Sequence, residues 1–276
     1  MIKILDMDGL FDKYISDFVY KNIGKLKPEE IEDNIPLLYE KFGDEKLEEL
    51  DGKTPNTFYK QYSIKELLEC LKEHITSNVP VSDFLCETIQ SNNENEDALV
   101  SALDDDNEEF ILYVMNMLDV VKSKKCVKKY LNFITWDYPE PIKELATELL
   151  CQNADLVKED IVSQFKDCSE QVKGYLTQVL SYTTFGDDRV FDILIAEFAK
   201  NQDNIPLYAG YLSKYGDERA LPFLLTAIES DKINYFDFEE LRFAIESLGG
   251  TYDKKRDFTK DKIYKKIKGE KQQLKF

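Results

Sequence analysis

The sequence predicts an all-α fold: an α-α superhelix of stacked helix pairs behind a non-repeat helical N-terminal cap. Three observations predict it. Apolar residues recur at helical spacing along most of the chain. The same pattern returns every thirty-odd residues, which marks a repeat architecture. Turn chemistry is sparse, with 11 Gly and 8 Pro among 276 residues, too little for an all-β sandwich. Apolar residues make up 43% of the chain, enough for a sizeable core and too many for a disordered one.

Residues 1–90 read as helical without sharing the period. Phe11, Tyr14, Ile15, Phe18 and Val19 share one helical face. A second helix runs from Pro28 to Phe42, with Glu29 and Glu30 favourable in its first turn. Leu50-Asp51-Gly52-Lys53-Thr54-Pro55 is a turn. Ser63-Ile64-Lys65-Glu66 is a capping box ahead of Leu67, Leu68 and Leu71. Pro80 precedes a helix holding Phe84, Leu85 and Ile89. An atypical first unit of this kind covers the outermost apolar face of a repeat array. The polar stretch Asn92-Asn93-Glu94-Asn95-Glu96 marks the expected boundary.

Residues 91–250 carry the repeat, about five helix pairs. Phe185-Gly186-Asp187-Asp188-Arg189 aligns without gaps on Tyr215-Gly216-Asp217-Glu218-Arg219, at an offset of 30. Phe191, Leu194, Ile195 and Phe198 lie at i, i+3, i+4 and i+7, as do Leu221, Leu224, Leu225 and Ile228, and Val127, Tyr130, Leu131 and Ile134. Anchors at 99, 130, 161, 194 and 224 define this first series of helices, with spacings of 31, 31, 33 and 30. A second series follows Leu118, Leu149, Leu180 and Leu212 at spacings of 31, 31 and 32, and continues in Leu241, Ala244, Ile245 and Leu248. Gly186 and Gly216 sit where a helix must end in a left-handed residue. Asp187 and Asp217 follow in position to cap the next helix. Pro139 and Pro141 bracket another helix start.

The motif Tyr215-Gly216-Asp217-Glu218-Arg219-Ala220-Leu221-Pro222 resembles the HEAT repeat, in particular the short HEAT-like repeat of phycocyanobilin lyases. The resemblance covers about residues 91–250; the copies around Cys126 and Lys158 lack both the Gly and the Arg. It implies a solenoid of paired helices and no particular activity, because repeat folds serve many roles.

Residues 251–276 form a basic C-terminal helix or tail. From residue 253 onward ten Lys and Arg face four Asp and Glu, a net of +6. The whole chain carries −18, so the first 252 residues carry −24. A body that negative repels phosphate backbones, and nucleic acid is not an expected partner. The tail is expected to lie as a final helix against the acidic body.

No apolar run approaches the ~20 residues that span a bilayer, so no membrane role is expected. Met1-Ile2-Lys3-Ile4-Leu5-Asp6 lacks the pattern of a secretory signal. Five dispersed cysteines (Cys70, Cys86, Cys126, Cys151, Cys168) form no CxxC pair and fit reduced structural thiols in a cytoplasm.

Candidate chemistry is thin. Ile4-Leu5-Asp6-Met7-Asp8-Gly9 resembles the first motif of haloacid dehalogenase-type phosphatases, which would make Asp6 a nucleophile and Asp8 an acid/base. That family needs a parallel sheet, and the chain offers no βαβ succession; both aspartates are simpler as helix-start residues. Asp104 to Glu109 is acidic but lacks EF-hand spacing. His74, the single histidine, reads as a helix-end residue. Tyr208, Tyr211 and Tyr215 read as a core stripe, and Arg189 and Arg219 as links to carboxylates of the adjoining repeat. No catalytic, cofactor or metal site is expected.

The leading expectation is a cytoplasmic, non-enzymatic scaffold that binds a protein or peptide, of basic character given the acidic body. Its contact rows are expected at Asn132, Ser163, Ala196 and Thr226, and at Lys128, Glu159, Asp192 and Pro222. The alternatives are an enzyme on a HEAT-like scaffold, lyase-like or phosphatase-like, and a structural subunit of a larger assembly.

Overall fold

The computed structural model describes residues 2–22, 28–91 and 95–273, and it is all-α. Among the described residues the one β-type pairing is an isolated bridge between Leu47 and Lys53. Of the polar boundary stretch, positions 92–94 lie outside the described residues. The chain divides into two compact units, Met1–Cys126 and Val127–Phe276.

The first unit contains α1 (Met7–Asn22), α2 (Pro28–Gly43), α3 (Pro55–Phe58), α4 (Ile64–Thr76), α5 (Asp83–Gln90), α6 (Glu96–Ala102) and α7 (Glu108–Val120). The apolar face of α1 meets α2 through aromatic contacts. The Phe11 ring lies 4.9 Å from Tyr39 and 5.3 Å from Phe42, and Tyr39 stacks on Phe84 of α5 at 5.2 Å. The capping box of α4 forms as its spacing predicts. Ser63 Oγ accepts the Glu66 amide, and Glu66 Oε2 accepts the Ser63 amide at 2.9 Å. Leu50, Leu71, Leu85, Ile89 and Leu103 are fully enclosed and form the centre of this unit. The pair α6 and α7 holds the first anchors of each series, Leu99 and Leu118, both buried.

The second unit contains α8 (Val127–Thr135), α9 (Glu140–Cys151), α10 (Ala154–Gln164), α11 (Glu170–Ser181), α12 (Asp188–Lys200), α13 (Ile205–Tyr215), α14 (Leu221–Ile228), α15 (Tyr235–Ser247) and α16 (Lys262–Gln273). Each first-series helix packs on its second-series partner: α8 on α9, α10 on α11, α12 on α13, α14 on α15. The second-series helices also pack on one another in succession, α9 to α11 to α13 to α15. Four stacked pairs therefore share one apolar interior among the described residues. Leu149, Leu180, Leu212 and Leu241 line it, as the thirty-one-residue phase requires. Each isolated pair would leave an apolar face in water, and stacking removes it.

The turns show why the period holds. Gly216 ends α13 with φ 79°, a conformation that glycine adopts without steric cost. Asp217 accepts the Arg219 amide at 3.0 Å, and Asp187 accepts the Arg189 amide at 3.0 Å. One expectation needs correction. Gly186 has φ 108° but does not end α11, which stops at Ser181. The Ser181 and Thr183 hydroxyls donate to the carbonyls of Gln178 (2.6 Å) and Leu180 (2.7 Å), so the helix closes earlier and Gly186 turns within the connection.

The basic C-terminal segment lies against α15 and the α14–α15 connection. Phe258 and Tyr264 pack on Tyr235 with centroids 5.4 and 4.9 Å apart, and Phe258 lies 5.1 Å from Phe238. Lys254 pairs with Glu229 at 2.5 Å, and Arg256 donates to the Ser230 carbonyl at 2.6 Å. Aromatic side chains thus cover the last pair while the cations meet acids of the α14–α15 connection.

Candidate interaction surface

The charged groups of the repeat motif are engaged in joining neighbouring pairs. Arg189 reaches back thirty residues and grips both oxygens of Glu159, at 2.9 and 2.7 Å. The same guanidinium donates to Asp187 at 2.7 Å. Arg219 repeats the device one pair later, with Asp188 at 2.7 Å and Asp217 at 2.7 Å. The Arg189 hydrogen bonds hold the Asp187 carboxyl far below the usual carboxylate range, and Arg219 does the same to Asp217 more mildly. Both guanidinia reach solvent, so water and salt screen each link and its weight lies in geometry more than in energy. Their role as inter-repeat links, expected from the recurring turn, is what the geometry gives.

Tyr215 adds a link that the spacing alone does not reveal. It is 2% exposed. Its hydroxyl accepts the amides of Gly186 (3.2 Å) and Asp187 (3.1 Å) and donates to the Asp187 carbonyl at 3.1 Å. Two lone pairs and one proton are all used. Tyr208 is also core, at 8% exposure, whereas Tyr211 is half-buried and donates to Gln178 at 3.4 Å. The tyrosine stripe is therefore core at two of its three positions.

All the residues of the expected contact rows fall on first-series helices: Lys128 and Asn132 on α8, Glu159 and Ser163 on α10, Asp192 and Ala196 on α12, Pro222 and Thr226 on α14. All are exposed except Asn132, which is half-buried. Several are engaged. Glu159 is held by Arg189, Ser163 Oγ donates to the Asp160 carbonyl at 2.9 Å, and Thr226 Oγ1 donates to the Pro222 carbonyl at 2.7 Å.

The second-series helices present a different side. Glu140, Glu144 and Glu148 occupy successive turns of α9 and are exposed. Gln171 donates to Glu140 at 3.1 Å, and the Tyr175 hydroxyl donates to the same carboxylate. Burial and this carboxylate push the Tyr175 phenol up to about 12. The Lys214 ammonium sits 4.4 Å from the centre of the Tyr182 ring, and Tyr182 is 45% exposed. Leu207 and Phe243 are exposed on α13 and α15. These side chains escape a search for catalytic motifs because no motif contains them.

The chemical candidates resolve into local structure. Asp6 Oδ1 accepts the Gly9 amide at 2.8 Å at the start of α1, and Asp8 lies in that helix's first turn. No strand delivers Asp6, and no parallel sheet exists among the described residues. Burial and nearby Asp6, Asp83 and Asp12 raise Asp8 above the usual carboxylate range. In the acidic run, Asp105 pairs with Lys72 at 2.6 Å, and Asn107 caps α7 by accepting the Phe110 amide at 2.9 Å. Among the described residues no group of three His, Cys, Asp or Glu is placed to hold a metal ion. His74, in the last turn of α4, is fully buried. The Pro80 carbonyl lies 2.9 Å from Nδ1 and can only accept, so that nitrogen carries the proton; Nε2 has no hydrogen-bond partner among the described residues. Trp136 is 61% exposed. Among the described residues no helix is long and apolar enough to cross a membrane.

Comparison of the sequence with protein-family models and with curated proteins finds no match.

Proposed function

We propose that the chain is a helical-repeat scaffold of the HEAT-like kind that its turn motif resembles, and that it acts by holding a protein or peptide partner of basic character rather than by catalysis. The observation that carries this reading is the uninterrupted packing of α9, α11, α13 and α15, which builds one extended surface from many short helices. The arginine links fix the spacing of those helices and so the spacing of whatever they present. The charge of −24 over the first 252 residues favours a cationic partner and an association that weakens with salt. Five free thiols, all buried or half-buried, support a reducing compartment, the cytoplasm.

Selection of displayed random peptides on the immobilised full chain tests the proposal. Enrichment of Lys- and Arg-containing peptides at low salt, reduced at high salt, is the expected result. Failure to enrich any peptide class above a bare-surface control would remove the reading.

A further inference from the structure

We infer that the half-covered apolar face of α1 and α2 docks an amphipathic helix of a partner protein, apolar on one side and rich in Lys and Arg along its flanks. The inference rests on the scaffold reading above for the kind of partner, and places that partner on the first unit. Met7, Phe11, Tyr14 and Phe18 lie at i, i+4, i+7 and i+11 on α1, and Ile31, Ile35, Leu38 and Phe42 do so on α2, one apolar stripe on each helix. The stripes meet where Phe11 and Tyr14 pack on Phe42, and there Met7, Leu38 and Phe42 are buried. Beyond that junction the cover stops. Phe18, with Ile15 and Val19 beside it, is only half-buried; so is Ile31, and Ile35 is 38% exposed. Only five residues join Asn22 to Pro28, so the two bare halves lie at the same end of the pair. On α4, by contrast, Leu67, Cys70, Leu71 and His74 are all buried.

Spacing and charge select the occupant. Ile15 and Val19, and Ile31 and Ile35, stand one helical turn apart, the ~6 Å rise that i and i+4 side chains of a facing helix reproduce. Asp8 and Asp12 adjoin Ile15 and Val19 on one edge of the α1 stripe, and Asp17 flanks the other; Glu29, Glu32 and Asp33 stand in the first turns of α2. All six are exposed, and none forms an ion pair among the described residues. Their field reaches the junction itself: burial, then Asp83, Asp8 and Glu87, push the Tyr39 phenol up to about 12. A helix with flanking cations meets these carboxylates while its apolar side covers the bare halves. A second copy would bring the same acids against them, which disfavours self-association at this face. The chain's own basic segment is engaged on α15, with Tyr264 packed on Tyr235.

The experiment titrates a fluorescein-labelled Leu–Lys peptide, with Leu at i, i+3, i+4 and i+7 and Lys elsewhere, with the full chain and follows anisotropy. A peptide of the same composition in scrambled order and a Leu–Glu peptide of the same pattern should each bind at least about tenfold more weakly. Ile15→Ser with Val19→Ser, which alters no charge, should weaken binding about tenfold. Asp12→Lys with Glu32→Lys, at exposed positions, should weaken it by a similar factor of about ten. Asp167→Lys with Asp203→Lys makes the same charge change in connections of the second unit, and should weaken it less than about twofold. Circular dichroism verifies that each variant is folded; if the serine variant is not, the scrambled peptide and the charge variants still decide. Equal loss in the two lysine variants, or equal binding of the scrambled peptide, would overturn the face in favour of diffuse attraction. Undiminished binding by a folded serine variant would overturn the apolar contact. A chain dimer in sedimentation velocity that dissociates in the serine variant would identify a second copy as the occupant and overturn the partner helix. If peptide selection succeeds while these variants bind normally, this inference fails and the scaffold reading stands; if selection also fails, both fall.

Discussion

Replacing Tyr215 by Phe removes one oxygen and three hydrogen bonds from the joint between neighbouring repeats. The phenol is 2% exposed and its ring packs in the core, so Phe fills the same space. The Gly186 and Asp187 amides lose their shared acceptor, and the Asp187 carbonyl loses a donor. At ~0.5–1.5 kcal/mol net per bond the ceiling is roughly 4.5 kcal/mol. Gly186 is exposed and Asp187 only half-buried, so water recovers part of this. The expected loss is about 1–2 kcal/mol, read as a lower urea midpoint at unchanged slope. Amide hydrogen exchange at Gly186 and Asp187 should accelerate in the same variant. Tyr208→Phe is the matched control, since no hydrogen bond of that phenol exists among the described residues, and it should change stability by less than about 0.5 kcal/mol. A Tyr215→Phe protein as stable as the parent, with unchanged exchange at the two amides, would refute the claim that this hydroxyl joins the repeats.

Three further outcomes follow from the same geometry. Asp187 and Asp217 are depressed in the folded state, so their contribution is present above the unfolded carboxylate value of ~3.9 and is lost as pH falls below it. Urea midpoints should hold between about pH 7 and pH 5 and decline below about pH 4, and Asp187→Asn, which keeps the cap, should flatten that decline. Burial pushes the thiols of Cys70 and Cys86 up to about 11 and that of Cys151 up to about 12, so a disulfide reagent at about pH 8 should react slowly with the native chain and rapidly in denaturant; a fast native phase of several thiols would contradict it. Leu180 is fully enclosed on α11, and Leu180→Ala should cost about 2–5 kcal/mol in urea titration, whereas a loss below about 1 kcal/mol would mean that the second-series interior is not tightly packed.

Much of the architecture is legible in the residues because helices leave local signatures. Ser63 and Glu66 announce the start of α4, and the thirty-residue return of Gly-Asp-acid-Arg locates two turns before any coordinate is known. Arg189 and Arg219 are readable as links because a cation that recurs with a turn has a recurring partner. The interaction surface is less legible, for a physical reason. Both helix series are amphipathic with the same phase, so periodicity identifies their buried stripes and says nothing about which outer side is free. Glu159 looks like an available contact until Arg189 is seen to hold it. The end of α11 was displaced by two side-chain hydroxyls whose back-bonding competes with the glycine signal five residues later. Tyr215 reads as core, and its hydroxyl acquires a role only through a connection nearly thirty positions away.

The arginine links have a consequence for how such a chain can lengthen. The block from Gly186 to Tyr215 carries a donor that grips the block before it, Arg189 to Glu159, and an acceptor for the block after it, Asp188 to Arg219. A tandem duplication of that block would bring both halves of a new joint with it. Growth by copying then needs no fresh partner residues, whereas a single-residue insertion inside a block would pull donor and acceptor out of step.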